Sequence, residues 1–302
     1  MKRSDIIPDF LGIGANRSGS TWLWKNLKEH PDIWMPPRKE IHYFDRSRIY
    51  PSPSHMASKH FFSRLLGREA HNIAYRKKFL HDLISNSYHY NWKGIRWTLR
   101  YYLGTYDDDW YLSLFRDGMG KVKGEITPSY SILDYKDVEQ IKCLMPNLKI
   151  IFIIRNPIDR AWSQIRYASS RGIFKGISLV EMNKFVDEPN QVLRSDYIRT
   201  INIWRTCFSK EQIFIGFYDD ISRSPENLLR NLFEFIGVDT VKFTDKIHDR
   251  INTSPDKEMP EKLKFYLAEK YYEQIKQLSN MLGGDAESWL KQAEKILENN
   301  YE

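Results

Sequence analysis

The sequence has few cysteines and no long hydrophobic segment, and each shortage argues against a class of protein. Cys143 and Cys207 are its two cysteines, and they form neither a disulfide framework nor a metal-ligand spacing. The longest apolar run, 150–154, is far shorter than the roughly 20 residues that cross a bilayer. Acidic residues and a proline interrupt positions 1–10, so this segment lacks the core of a secretory signal. We therefore expect a cytoplasmic protein without a membrane span.

Repeats, low-complexity tracts and Gly/Ser linkers are also absent from the 302 residues. Short apolar runs instead alternate with amphipathic stretches, as in βα units. We therefore predict an α/β fold and one domain over residues 1–302. The predicted strands are 10–14, 121–126, 148–154 and 212–218, and the predicted helices are 21–30, one that begins at 157, 225–236 and 260–282.

Residues 46–110 depart from this pattern, because they are basic and rich in histidine and aromatic residues. We interpret them as a helical insertion. Aromatic residues at helical spacing commonly form a small core. The functional alternative is a cap over an active site, where an aromatic ring stacks on an acceptor substrate.

Positive charge is concentrated in the first third of the chain. Residues 1–110 contain 18 Lys and Arg against 11 Asp and Glu, whereas residues 111–302 contain 28 of each. We expect this N-terminal region to be the part of the protein that contacts an anionic ligand. A solvated basic face is the simpler alternative.

A glycine-rich loop, Gly14-Ala-Asn-Arg-Ser-Gly-Ser-Thr21, lies between a predicted strand and a predicted helix. Backbone N–H groups and a helix N-terminus can hold phosphate in this context. The loop nearly matches the nucleoside-triphosphate pattern, but Ser20 replaces its lysine and the cation is at Arg17. This favours one 5′-phosphate with a short attached group over a magnesium-bound triphosphate. An ordinary turn into a helix is the alternative.

A second anion site is predicted where the strand 148–154 ends. Arg155 follows this strand, at the sheet edge where open α/β folds bind ligands, and Ser163 lies about two turns into the next helix. An Arg fork with a hydroxyl would hold a second phosphate. Alternatively, Arg155 forms a surface ion pair.

A candidate base lies in the segment Lys39-Glu-Ile-His-Tyr-Phe44. If the segment is extended, residues 40, 42 and 44 share one face, so that Glu40 and His42 face the same cleft. A carboxylate beside an imidazole suits general-base removal of a proton. An exposed Glu and a structural His would be the alternative.

Together these motifs resemble the sulfotransferases that use 3′-phosphoadenosine 5′-phosphosulfate (PAPS), in the branch of the heparan sulfate and related bacterial enzymes. The resemblance implies a P-loop-like parallel sheet flanked by helices, sulfuryl transfer to an acceptor hydroxyl, and adenosine 3′,5′-bisphosphate (PAP) as product. It implies Glu40 as the base beside His42, and Arg17 as the group that stabilises the leaving phosphate. The implied donor-binding residues are Arg17, Ser18, Gly19, Ser20, Thr21 and Trp22 for the 5′-phosphosulfate, Arg155 and Ser163 for the 3′-phosphate, and Arg250, Asn252, Thr253 and Ser254 in a closing loop.

The sequence also departs from the family pattern. The segment Thr127-Pro-Ser-Tyr130 resembles the acceptor-side strand end, but Ile126 stands where the heparan sulfate enzymes have a lysine, and residues 46–110 are longer than their counterpart. A glycosaminoglycan acceptor is therefore not expected. We expect a hydroxyl-bearing carbohydrate, lipid or small-molecule alcohol, with no metal and no nucleic acid partner.

Two other functions are compatible with parts of the sequence. A P-loop kinase or NTPase would use Asp219 and Asp220 as metal ligands and bind ATP with magnesium, against which Ser20 argues. A non-enzymatic polyanion-binding protein would use the basic N-terminal half, and its affinity would fall steeply with salt.

Overall fold

A parallel sheet of five strands forms the centre of the fold. The computed structural model describes residues 2–50, 55–88, 92–173, 178–241, 245–249 and 257–299. The strands are β1 Phe10–Gly14, β2 Ile33–Trp34, β3 Val122–Ile126, β4 Lys149–Ile154 and β5 Ile213–Phe217. Their order is β2-β3-β1-β4-β5, and every pairing is parallel. The four strands predicted from sequence are confirmed. Strand β2 was not predicted, because it has only two residues and so shows no hydrophobic periodicity.

Helices cover both faces of the sheet. They are α1 Ser20–Glu29, α2 Phe61–Leu66, α3 Ala70–Tyr88, α4 Trp92–Leu103, α5 Asp108–Ser113, α6 Tyr135–Leu144, α7 Pro157–Ser170, α8 Leu179–Asp187, α9 Pro189–Ser195, α10 Tyr197–Cys207, α11 Tyr218–Arg223, α12 Pro225–Ile236, α13 Glu261–Leu282 and α14 Asp285–Glu298. Short 3₁₀ helices include Pro128–Ile132 after β3. The α/β fold with a P-loop-like parallel sheet is confirmed.

Local sequence signals explain where several of these helices begin and end. Asn156 caps α7: its side chain accepts a hydrogen bond from the backbone N–H of Ile158, and Pro157 is the first residue of the helix. Gly237 ends α12 with φ 85°, a left-handed conformation that suits glycine. The side chains of α1 and α12 pack in one core on one face of the sheet, and those of α7, α10 and α13 pack in a larger core on the other.

Helices α2, α3 and α4 lie within residues 46–110, and aromatic rings of this segment are buried together. Trp97, Tyr101 and Tyr102 are fully buried, and they are continuous with the larger core on one face of the sheet. The Arg64 guanidinium lies inside this cluster, 3.8 Å from the ring centroid of Tyr106, and donates to backbone carbonyls of the same region. This insertion is therefore a packed unit of α2, α3 and α4.

Candidate active site

The loop between β1 and α1 has the backbone of an anion-binding turn. Gly19 is the N-cap residue of α1 with φ 78°, and a Cβ at this position would lie 2.3 Å from Cδ1 of Ile221. Glycine is therefore required here by both conformation and space. Gly19 offers no side chain to cap α1, and the positive N-terminal end of this helix favours an anion at the loop.

Arg17 joins the two predicted anion sites into one. Its Nε donates to Oγ of Ser163 over 3.2 Å, and its carbonyl accepts from Nη1 of Arg155 over 3.3 Å. Its guanidinium stacks 4.7 Å from the ring centroid of Tyr167. Burial lowers the pKa of Arg17; Tyr167 opposes this, and the positive charges of Arg155 and Arg166 add to the lowering. Three like charges so close together favour an anion between them.

Several buried donors around this loop have no partner among the residues that the structure describes. They are Oγ of Ser18 and Nε of Arg155; the three guanidinium nitrogens of Arg160, which is fully buried on α7, also lack a partner there. A buried donor left unsatisfied costs about 1–3 kcal/mol. The donor set therefore fits a ligand with several anionic oxygens, such as a nucleotide with two phosphates. Arg160 lies one helical turn before Ser163 on α7, but no motif in the sequence pointed to it.

Lys39 supplies a cation at the loop position where the lysine of a nucleoside-triphosphate site is missing. Its Nζ lies 3.1 Å from Oγ of Ser20 and 2.6 Å from Oε1 of Glu40. One ammonium group thus contacts both the phosphate loop and the candidate base. Lys39 was not among the site residues predicted from sequence, although its position next to Glu40 in the chain was a signal for it.

Glu40, His42 and Asp45 form a hydrogen-bonded chain. Nε2 of His42 is 3.4 Å from Oε2 of Glu40, and Nδ1 of His42 is 2.7 Å from Oδ2 of Asp45, which is 1% exposed. Burial disfavours the His42 cation, but the charges and hydrogen bonds of Asp45 and Glu40 outweigh it and raise the pKa of His42 to about 9. Burial also disfavours the Glu40 anion, yet His42 and Lys39 hold the pKa of Glu40 well below its usual range.

The backbone of this segment differs from the extended form expected from sequence. Glu40 has φ 66° and His42 has φ 59°, both in the left-handed region. The two side chains still meet, with Nε2 of His42 3.4 Å from Oε2 of Glu40, and the intervening Ile41 is fully buried. Two such non-glycine residues cost about 1–3 kcal/mol each, and strain of this kind commonly marks functional sites. The condition of an extended segment is therefore not met, because tertiary contacts fix these dihedrals.

Glu125 provides those tertiary contacts. This fully buried carboxylate at the end of β3 accepts hydrogen bonds from the backbone N–H of Ile41 (3.2 Å) and the hydroxyls of Thr127 (2.7 Å), Tyr130 (2.9 Å) and Tyr111 (3.0 Å). Burial raises the pKa of Glu125, and its four donors oppose the rise without cancelling it. The Thr127-Pro-Ser-Tyr130 segment thus anchors the candidate base from behind.

The remaining predicted residues have different positions. Trp22 is 3% exposed and its indole donates to the carbonyl of Ile247, so its side chain belongs to the core and its backbone alone can face a ligand. Thr21 lies in the first turn of α1. Ile126 is buried against Gly12, where a lysine would place a charge in the core. Arg250, Asn252, Thr253 and Ser254 lie outside the described residues.

Comparison with known proteins identifies the family. A model of the sulfotransferase family matches residues 8–242. The chain belongs to the sulfotransferase family. It is 22% identical over 366 residues to the membrane-associated sulfotransferase kil1 of Dictyostelium discoideum, covering 92% of this chain and 66% of kil1. It is 24% identical to the bifunctional heparan sulfate N-deacetylase/N-sulfotransferase 1 of Xenopus laevis, covering 78% of this chain and 23% of that enzyme. The chain thus spans less than two thirds of these relatives.

Solved structures share the fold of this sulfotransferase. A sulfotransferase from Alicyclobacillus acidocaldarius superimposes with a TM-score of 0.62 at 22% identity, over 94% of this chain and 98% of that one. The sulfotransferase domain from the curacin biosynthetic pathway gives 0.50 at 17% identity, over 80% and 77%. None of the helices in the described residues is long and apolar enough to span a bilayer.

The carboxylates that a kinase would need for a metal have other partners. Oδ1 of Asp219 accepts from the indole of Trp289, and Asp220 pairs with Arg223, which also binds Asp285. These contacts attach α11 to α14, so they give Asp219 and Asp220 a structural role. The kinase alternative gains no support from this part of the structure.

Proposed function

We propose that this sulfotransferase transfers the sulfuryl group of PAPS to a hydroxyl of a carbohydrate, lipid or small-molecule alcohol. The observation that carries the proposal is the position of Lys39, whose Nζ contacts both Ser20 of the phosphate loop and the carboxylate of Glu40. The donor-binding loop and the base therefore meet at one cation. Carbohydrate is among the candidate acceptors also because one relative, 22% identical, is named carbohydrate sulfotransferase 15.

The two ends of the donor would occupy the two anion sites that Arg17 joins. The N–H groups at the start of α1, with Ser18 and Ser20, would bind the 5′-phosphosulfate. Arg155 and Ser163 would bind the 3′-phosphate. This assignment uses the buried donors of Ser18 and Arg155 that lack a partner within the described ranges.

The chemical step is an in-line displacement at sulfur. The acceptor oxygen forms a bond to sulfur while the bond from sulfur to the 5′-phosphate oxygen breaks. Glu40 takes the proton of the acceptor hydroxyl, and PAP leaves. Lys39 and Arg17 place positive charge where the leaving phosphate gains negative charge, so we propose that the step needs no metal. Each well-placed group of this kind contributes about 3–4 kcal/mol.

The protonation states favour Glu40 over His42 as the base. With a pKa of about 9, His42 is protonated at neutral pH and cannot accept the acceptor's proton. It instead donates to Glu40 and is oriented by Asp45. Lys39 lowers the basicity of Glu40 before reaction; when its ammonium group turns to the leaving phosphate, the pKa of Glu40 rises at the moment that a base is needed.

Transfer of radiolabelled sulfate from PAPS to a panel of hydroxyl compounds tests this function. We expect labelled product with at least one carbohydrate, lipid or small alcohol in the absence of added magnesium. Glu234→Gln, an exposed position on α12, serves as a matched control for Glu40→Gln. Product formation that survives Glu40→Gln would contradict the proposed base.

A further inference from the structure

The helical insertion concentrates exposed apolar side chains on its outer surface. Among the described residues, 17 large apolar side chains are exposed, and nine of them lie on α2, α3 and α4. We call these nine the outer face of the insertion; they are Phe62, Leu65, Leu66, Ile73, Leu80, Ile84, Trp92, Leu99 and Leu103. Single exposed apolar residues are common, but a cluster on neighbouring elements indicates an interaction surface.

The spacing of these residues puts them on one side of each helix. Both longer helices follow the order apolar, basic, apolar, apolar at positions i, i+4, i+7 and i+11. At about 100° per residue these four positions fall within an arc of about 60°. The two stripes are Ile73, Lys77, Leu80 and Ile84 on α3, and Trp92, Arg96, Leu99 and Leu103 on α4.

The opposite sides of the same helices are already used for packing. Tyr75 of α3 and Trp97 and Tyr101 of α4 are buried in the aromatic core. On α2, the exposed positions 62, 65 and 66 likewise share one face. A basic residue of this surface, Arg96, forms an ion pair with Asp117. The outer face is therefore not needed to hold the insertion together.

The charge of the insertion selects the kind of partner. Residues 55–103 contain nine Lys and Arg against two Asp and Glu; six of the nine basic residues are exposed, whereas Arg64 is buried inside the insertion. This excess equals the net charge of the whole chain, +7. A second copy docked on this face would bring two positive surfaces together, and a soluble polyanion would leave the apolar stripes in water. A lipid surface that carries negative charge satisfies both features.

We propose that α2, α3 and α4 bind membranes that contain anionic lipids. The apolar stripes enter the interface between headgroups and acyl chains, and the basic residues contact lipid phosphates and carboxylates. The face is linked to the active site through Arg38, which pairs with Asp82 of α3 and donates to the hydroxyl of Tyr102 over 2.7 Å. Arg38 directly precedes Lys39 and Glu40 in the sequence. This inference does not depend on the proposed function.

Co-sedimentation of the full chain with vesicles tests the inference without a sulfuryl donor. We expect binding to vesicles of phosphatidylcholine with phosphatidylserine, and much weaker binding to phosphatidylcholine alone. The double variant Leu80→Ser/Ile84→Ser should partition about tenfold more weakly. Its matched control is Ile173→Ser/Val180→Ser, which changes side chains of similar exposure (65% and 62%, against 60% and 57%) outside the insertion.

A charge variant separates the electrostatic contribution. Lys77→Glu should weaken partitioning at least about fivefold, because each basic residue near an anionic surface contributes about 1 kcal/mol. Lys276→Glu, an exposed position on α13, makes the same charge change elsewhere and should have little effect. Circular dichroism melting of each variant shows whether it is folded.

Three results would overturn the inference. The first is an absence of binding to the phosphatidylserine vesicles by the unchanged protein. The second is binding that depends on Lys77 but is unaffected by the serine variant, which would indicate a purely polyanionic partner. The third is concentration-dependent dimerisation, seen by analytical ultracentrifugation, that the serine variant abolishes; this would assign the face to a second copy of the chain.

Discussion

The proposed donor side and the proposed base side of the candidate active site are built in different ways. The donor side consists of a loop between β1 and α1 and of the start of α7, where consecutive residues and helix termini supply most of the binding groups. The base side is a strained segment whose geometry comes from distant residues, with Glu125 as its anchor. A phosphate site can thus be local in sequence, whereas a correctly placed base here needs tertiary support.

The largest expected effect separates chemistry from donor binding. Glu40→Gln should lower turnover by about 10²–10⁴-fold, the usual contribution of a general base. Its affinity for PAP, measured by calorimetry, should stay within a few fold of the unchanged protein. Loss of PAP binding in this variant would mean that Glu40 shapes the donor site instead.

Lys39→Met tests the residue that links the two sides. We expect turnover to fall by about 10²–10³-fold, as for loss of one group that stabilises developing charge. Because Lys39 also lowers the pKa of Glu40, that pKa should rise in the variant. The pH dependence of turnover should therefore gain an acid limb at higher pH than in the unchanged protein. Unchanged kinetics would remove Lys39 from the site.

On the donor side, Arg155→Ala tests recognition of the 3′-phosphate. We expect affinity for PAP to fall by about 10–100-fold, because a charge-assisted hydrogen bond contributes about 1.5–3 kcal/mol. Affinity for adenosine 5′-phosphate, which lacks the 3′-phosphate, should change little. Equal losses for the two nucleotides would contradict the assignment of Arg155.

On the base side, Glu125→Gln tests the buried anchor. A glutamine amide has one acceptor oxygen, so it leaves some of the four donors unsatisfied, and the free energy of unfolding should fall by about 2–3 kcal/mol. Turnover should fall with it while PAP affinity is retained. Denaturant unfolding and calorimetry together check this, and a parallel loss of PAP binding would mean that both sides depend on Glu125.

The smallest expected effect is a pH dependence that comes from His42. Its pKa in the folded protein, about 9, lies above the ordinary value of 6.5, so its contribution to stability is complete below pH 6.5 and is lost as pH rises through about 9. Turnover should decline over the same alkaline range. Asp45→Asn removes one of the charges that raise this pKa and should move the decline to lower pH. An unmoved decline would assign it to another group.

Sequence reasoning was most successful where the determinants are local. The βα alternation predicted four of the five strands, and the Gly19 turn and the Asn156-Pro157 helix start follow from neighbouring residues. Arg17 and Arg155 could be named as anion ligands because each follows a strand. That Arg17 connects their two sites could not be predicted, since Ser163 and Arg17 are 146 positions apart in the chain.

The base segment shows why the rest was beyond sequence patterns. An extended segment would put Glu40 and His42 on one face, but the segment is held by the hydrogen bond that the Ile41 N–H donates to Glu125, 84 positions away, and both residues have left-handed dihedrals. Asp45 and Lys39 lie within five residues of Glu40, yet nothing in their spacing says which of them contacts it. Tertiary contacts decided these roles.

Calorimetric titration with PAP and with ATP, each with and without magnesium, tests the central claim most directly. The joined anion sites of Arg17, Arg155 and Ser163 predict micromolar binding of PAP that is independent of magnesium, and weak binding of ATP. Magnesium-dependent ATP binding in preference to PAP would contradict the proposed donor and favour a kinase.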